Sequence, residues 1–132
     1  MLRANKWNWN YLKLNWTNSN WSLLDNIQIK YTSTYWLLIN NSNSTLQNSI
    51  VEQNWWYGIY IDSTETVTLD NNTIRENNKE WINSRNWNHI FNNNNILNNW
   101  YNWIYLHNWE NSITNSSINW NWYNWMFINS WN

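Results

Sequence analysis

The chain has no cysteine, no proline, a single glycine and few charges. Without cysteine there are no disulfides, no thiolate metal sites and no cysteine nucleophile, and the redox compartment stays open. Seven Lys and Arg stand against eight Asp and Glu, a net charge of −1, and only 11% of residues are charged. Such a surface offers no basic face, so neither nucleic acid nor anionic lipid is expected as a partner. Met1-Leu2-Arg3-Ala4-Asn5-Lys6 leads into Trp7-Asn8-Trp9-Asn10 instead of an apolar run, so neither a signal peptide nor a membrane span is read.

What is present in excess is Asn, the commonest residue, together with 16 Trp. Asn-rich, weakly charged sequence suits a disordered or prion-like tract, unless it is periodic. Here it is periodic. The pattern of an aromatic or Gly followed by aliphatic residues recurs at Trp36-Leu37-Leu38-Ile39, Gly58-Ile59-Tyr60-Ile61, Trp81-Ile82-Asn83-Ser84, Trp103-Ile104-Tyr105-Leu106 and Trp125-Met126-Phe127-Ile128. The intervals are 22, 23, 22 and 22. A second apolar column runs through Ile50, Ile74, Ile96 and Ile118, and a third through Leu46, Leu69, Ile90 and Ile113; Leu23 and Ile27 extend them upstream.

Each apolar position lies in a short stretch of period-two alternation between polar corners, the signature of brief strands rather than helices. The expected fold is therefore all-β: a single-stranded, right-handed parallel β-helix of about five coils, each one such interval long, filling residues 1–132 as one domain, with 1–11 irregular. In such a solenoid one residue per coil repeats above its equivalent. Asn48, Asn72 and Asn94, continued by Ser116, are expected to point inward at a corner and bond to one another up the axis. Asn54, Asn77, Asn99 and Asn121 mark the next corner, where Asn tolerates left-handed backbone.

Segments such as Asp70-Asn71-Asn72-Thr73-Ile74-Arg75-Glu76-Asn77 and Asn99-Trp100-Tyr101-Asn102-Trp103-Ile104-Tyr105-Leu106 resemble the β-helix repeats of the NosD-like and pectate-lyase-like superfamily. That family's pattern reads roughly N-x-I-x-x-N, a short turn, then N-x-G-I-x-L. The resemblance runs from about residue 12 to the end of the chain. It implies a right-handed parallel β-helix in an extracellular, cell-surface or periplasmic protein, with polysaccharide as the partner to consider. The chain departs from the pattern systematically, with Trp where the family has Gly. Gly58 fills the slot that Trp36, Trp81, Trp103 and Trp125 take in other coils. The slot is expected to enter a strand from a tight corner where Gly supplies positive φ, and a bulky residue in that left-handed geometry costs about 1 to 2 kcal/mol. Two causes are open. Either UGA codons that the source lineage decodes as Gly have been written as Trp, which suits the AT-rich bias toward Asn, Ile and Tyr, or the indoles form a real aromatic surface.

Polysaccharide lyases and hydrolases of this fold use paired carboxylates, or calcium with Arg or Lys, on one outer face. Among the acids, Glu52 and Glu76 lie about one coil apart and are the candidates for a stacked acid/base pair or a weak cation site. Solvated charges flanking a strand explain them equally, and Arg75 stands beside Glu76 to neutralise it. The separation of His89 from His107 is out of phase with the coil, so no metal centre is expected. No phosphate loop or nucleophile elbow is present, and no cofactor is implied.

Tyr60, Tyr105 and Phe127 alternate with inward residues and share a column with Leu38 and Asn83; Tyr101 and Tyr123 form a shorter one. Such stripes can stack on sugar rings, or on each other between coils. The chain ends at Trp131-Asn132 without a capping helix or polar coil, so a longer solenoid and end-to-end or edge association are expected. The function expected is a non-catalytic structural or carbohydrate-facing β-helix module of an exported or surface protein. The alternative is a polysaccharide lyase, hydrolase or epimerase with an incomplete or degenerate active site.

Overall fold

The computed structural model describes residues 2–3, 11–15, 21–33, 35–79, 82–86, 88–101, 104–108, 110–120, 122 and 126–128. Among them every regular element is a strand. Strand β1 (Leu2–Arg3) comes first. The first full coil is β2 (Leu12–Asn15), β3 (Ser22–Asp25) and β4 (Gln28–Lys30). The second is β5 (Tyr35–Asn40), β6 (Ser44–Gln47) and β7 (Ile50–Glu52). The third is β8 (Tyr57–Asp62), β9 (Thr68–Asp70) and β10 (Thr73–Arg75). The fourth is β11 (Ile82–Ser84), β12 (Ile90–Asn92) and β13 (Asn95–Leu97). The fifth is β14 (Ile104–Leu106), β15 (Ser112–Thr114) and β16 (Ser117–Asn119), and β17 (Phe127–Ile128) follows.

Each strand pairs in parallel with its equivalent one coil away, giving three sheets in the orders β1-β4-β7-β10-β13-β16, β17-β14-β11-β8-β5-β2 and β15-β12-β9-β6-β3. The expected solenoid of about five coils is the one observed. Its interior is a set of aliphatic files. In the first sheet Ile29, Val51, Ile74 and Ile96 lie one above another, and in the second Leu37, Ile59, Ile82 and Ile104 do the same. Leu46, Leu69 and Phe91 fill the third side.

The register corrects the sequence reading wherever two apolar residues are adjacent. Val51, not Ile50, faces Ile74; Phe91, not Ile90, faces Leu69; Leu24, not Leu23, faces Leu46. Ile90 and Leu23 are exposed instead, and Ile29 takes the inward place assigned to Ile27. With these shifts the first file keeps the ordinary coil interval throughout, and the anomalously long step from Ile50 to Ile74 disappears.

The first sheet shows why the corners hold. Its strands from β4 to β16 are three residues long, and each lies between two single residues in left-handed geometry. Those before the strands are Asn26, Asn48, Asn71, Asn93 and Asn115; those after are Tyr31, Gln53, Glu76, Asn98 and Trp120. One such residue turns the chain without a loop, and Asn is the residue that best tolerates it after Gly. Its amide stays in the ladder: Asn48 N donates to Asp70 O at 3.1 Å and Asn71 N to Asn92 O at 3.0 Å.

Directly after seven of these left-handed residues comes a buried polar one: Thr32, Ser49, Asn54, Asn72, Asn77, Asn94 and Asn99. Ser49 N donates to Asn72 Oδ1 (3.1 Å), Asn72 N to Asn94 Oδ1 (3.1 Å) and Asn94 N to Ser116 Oγ (3.1 Å). At the second corner Thr32 N donates to Asn54 Oδ1 (2.8 Å), Asn54 N to Asn77 Oδ1 (3.0 Å) and Asn77 N to Asn99 Oδ1 (2.7 Å). These files satisfy backbone amides that a three-residue strand leaves over, where an unpaired buried donor costs about 1 to 3 kcal/mol. The expected ladder is therefore real at Asn72 and Asn94 but displaced at Asn48. That residue is exposed, and its place inside belongs to Ser49. Asn48 joins an outer file instead, donating to Asp25 Oδ1 (2.8 Å) and accepting from Asn71 Nδ2 (2.7 Å). Likewise Asn54, Asn77 and Asn99 are buried rungs, and the left-handed angle lies one residue earlier; Asn121 lies outside the described residues.

Gly58 does not have positive φ either. It is buried in extended backbone within β8, so what the slot demands is space. Trp36 shares that register between the pairs Tyr35–Tyr57 and Leu37–Ile59, whereas Trp81, Trp103 and Trp125 lie outside the described residues.

Candidate functional site

Four features of this framework carry chemistry: a carboxylate in the first sheet, an aromatic column on the second, a groove on the third and a histidine inside. Glu52 stands in β7 directly between Lys30 of β4 and Arg75 of β10. Its carboxylate is buried, yet Lys30 Nζ forms an ion pair with Oε1, Gln28 Nε2 donates to Oε1 at 2.6 Å and Arg75 Nε donates to Oε2 at 2.7 Å. Burial opposes the charged form, but the bonds from Lys30, Arg75 and Gln28 and the Arg75 charge outweigh it and hold the carboxyl below its ordinary value. A carboxylate so engaged is a poor general acid and a poor nucleophile.

Glu76 is not its partner. One residue further along the chain, in the left-handed corner, it accepts from Gln53 Nε2 at 3.0 Å, while Arg75 takes the place opposite Glu52. The structure thus puts a cation, not a second acid, next to Glu52. Lys30 and Gln28, which the sequence reading missed, belong to the same column; the one-coil interval from Lys30 to Glu52 is the signal that finds them. Among the described residues no group of three or more His, Asp or Glu could hold a metal ion.

Replacing Glu52 by Gln is expected to destabilise the fold by about 2 kcal/mol. Breaking a buried pair costs about 3 to 5 kcal/mol, and both cations here have some access to water, which reduces it. Denaturant unfolding at neutral pH measures this directly.

The second sheet presents Leu38, Tyr60, Asn83, Tyr105 and Phe127 in one register. Tyr60, Asn83 and Tyr105 are half-buried, as expected for the outward set; Phe127 is placed by its backbone only. The guanidinium of Arg85 lies 5.4 Å from the Tyr60 ring centre, and the His107 ring meets Tyr105 edge-on at 4.5 Å. Both contacts fix ring orientation. Tyr101 is exposed, and Tyr123 lies outside the described residues. Beside Tyr101, Trp100 and Trp122 stack at 5.2 Å and 11°.

On the third sheet a groove of about 410 Å³ is lined by Ser22, Leu23, Thr45, Gln47, Thr66 and Thr68 with Trp21 and Asn43. Hydroxyls and amides can bind a polar ligand there, but this lining has no group that titrates near neutral pH.

Given one repeat per coil, parallel stacking throughout and inward amide files, the comparison with known families is decisive. The family model described as right handed beta helix region matches residues 1–118. The chain belongs to that family. No curated protein and no solved structure matches it. In this right-handed β-helix His89 is a rung of a further internal file. Val67 N donates to its Nδ1 at 3.2 Å, and His89 N donates to Asn111 Oδ1 at 3.0 Å. Its phase, which looked wrong for a metal pair with His107, is right for an amide ladder. Burial pushes its pKa down to about 4. Among the described residues no helix is long and apolar enough to cross a membrane.

Proposed function

We propose that this β-helix is a non-catalytic module of an exported or surface protein, and that it holds carbohydrate against the outer face of its second sheet. The observation that carries the reading is the register of Tyr60, Asn83 and Tyr105. Two rings separated by two strand spacings, about 9.6 Å, flank an amide at the midpoint. A sugar ring has apolar C–H faces that stack on aromatics and a hydroxyl rim that hydrogen-bonds amides. The β-helix keeps these groups at constant separation, so little ordering entropy is lost on binding. The neutralised Glu52 and the uncharged groove favour binding over turnover.

The test is calorimetric titration of the folded protein with a panel of neutral and acidic oligosaccharides. Tyr60→Ala and Tyr105→Ala are each expected to weaken binding about tenfold, in line with an aromatic contact of about 1.4 kcal/mol. If no oligosaccharide binds, carbohydrate is not the ligand. If new reducing ends, unsaturated products or epimers accumulate, the protein is instead a polysaccharide-active enzyme.

A further inference from the structure

We infer that the source organism decodes as glycine the codons written here as tryptophan. The first observation is where the backbone turns left-handed. Thirteen described non-Gly residues have positive φ and no Gly does, in a chain with 16 Trp and one Gly. For twelve of them, Trp120 included, φ lies between 47° and 63°, the ordinary left-handed region; Trp21 stands apart at 86°. A β-carbon and an indole are least welcome at such angles, and glycine adopts them freely.

Burial is the second observation. All six tryptophans whose side chains are described, at 21, 55, 56, 100, 120 and 122, are exposed, from 41% for Trp56 to 88% for Trp120. Tryptophan is usually well buried on average, and large exposed apolar patches oppose solubility. Two contacts of these indoles, Trp100 on Trp122 and Lys79 over Trp56, join exposed rings to each other or to a charged side chain. The third observation is the slot itself. Where the chain does have glycine, at Gly58, the position is closed to solvent, and the register assigns the same position one coil earlier to Trp36. Forcing extra volume into a packed position costs about 1 to 3 kcal/mol. Left-handed backbone at Trp21 and Trp120, exposure of the described indoles, and a register position that is buried where it holds Gly58 are independent observations, and glycine suits all three.

The carbohydrate reading rests on Tyr60, Asn83 and Tyr105, so the two stand or fall separately. The decisive measurement pairs the gene's codons at the 16 Trp positions with peptide mass spectrometry of the protein isolated from its own source. UGA codons and peptides lighter at each position by the difference between an indolylmethyl group and hydrogen are expected. UGG codons at Trp21, Trp36 and Trp120 overturn the inference, and so do UGA codons whose peptides carry tryptophan.

Discussion

Replacing Asn72 by Ala is expected to destabilise the protein by about 4 kcal/mol, a large share of the 5 to 15 kcal/mol that ordinarily holds a domain together. The reason is the number of bonds that one side chain serves. Asn72 Oδ1 accepts from Ser49 N at 3.1 Å, and its Nδ2 donates to Leu46 O at 2.9 Å and to Asn94 Oδ1 at 3.0 Å. Alanine strands a buried amide of one coil and a buried carbonyl beside it, at about 1 to 3 kcal/mol each, and leaves a gap in the file. Two controls make the result specific. Serine already serves as the equivalent rung at Ser49 and Ser116, so Asn72→Ser should cost less than half as much. Asn71, one residue away, is exposed and left-handed, so Asn71→Gly should shift stability by less than about 1 kcal/mol. Equilibrium urea unfolding of the three variants measures the ranking. Equal losses for Asn72→Ala and Asn71→Gly would mean that the inner file contributes nothing special.

The same neighbours show how far the sequence could be read. The coil length, the parallel stacking and the aliphatic files follow from the repeat interval alone, because in a solenoid every equivalent residue meets the same environment. What the interval could not decide is a choice between adjacent residues of like kind. Ile50 and Val51 both fit an inward β-branched position, Ile90 and Phe91 both fit an apolar one, and Asn serves in the left-handed corner and in the rung behind it. Where both places hold Asn, as in Asn71-Asn72, Asn93-Asn94 and Asn98-Asn99, a slip of one residue is invisible in composition. At Asn48-Ser49 the two places differ, and Asn was the wrong one to send inward. The arbitrating signal is the constant separation between left-handed corners, the same from Asn48 to Gln53 as from Asn71 to Glu76, which is a property of backbone angle and not of residue type. The aromatic column was legible because its members recur at the coil interval and alternate with aliphatic residues, Ile59 and Ile61 about Tyr60 and Ile104 and Leu106 about Tyr105. The fate of Glu52 was not, since a carboxylate's chemistry depends on which charges the register places beside it.

His89 supplies the second large effect, and its sign follows from its place in the file. Nδ1 accepts the Val67 amide, so the neutral ring carries its hydrogen on Nε2, which has no partner among the described residues. Protonation would bury a charge and would also set an N–H on Nδ1 against the Val67 N–H. Burial accordingly lowers the pKa from 6.5 to about 4. The unfolded chain therefore takes up a proton that the folded chain refuses between those values, and stability is full above pH 6.5 and falls as the pH drops toward 4. At about 1.36 kcal/mol per pH unit the loss is about 3 kcal/mol. Glu52 adds its own acid sensitivity, but its pKa is lowered from 4.5, so its contribution is intact above that value and lost below it. The His89 window opens at pH 6.5, before that of Glu52 at 4.5. Urea unfolding followed from pH 7 to pH 4 should show the decline, and His89→Asn should flatten it. An amide at 89 can accept from Val67 N as Asn111 accepts from His89 N, and it does not titrate. The smaller side chain lowers stability at pH 7, so the slope and not the level decides. An unchanged slope in His89→Asn would place the acid sensitivity elsewhere in the chain.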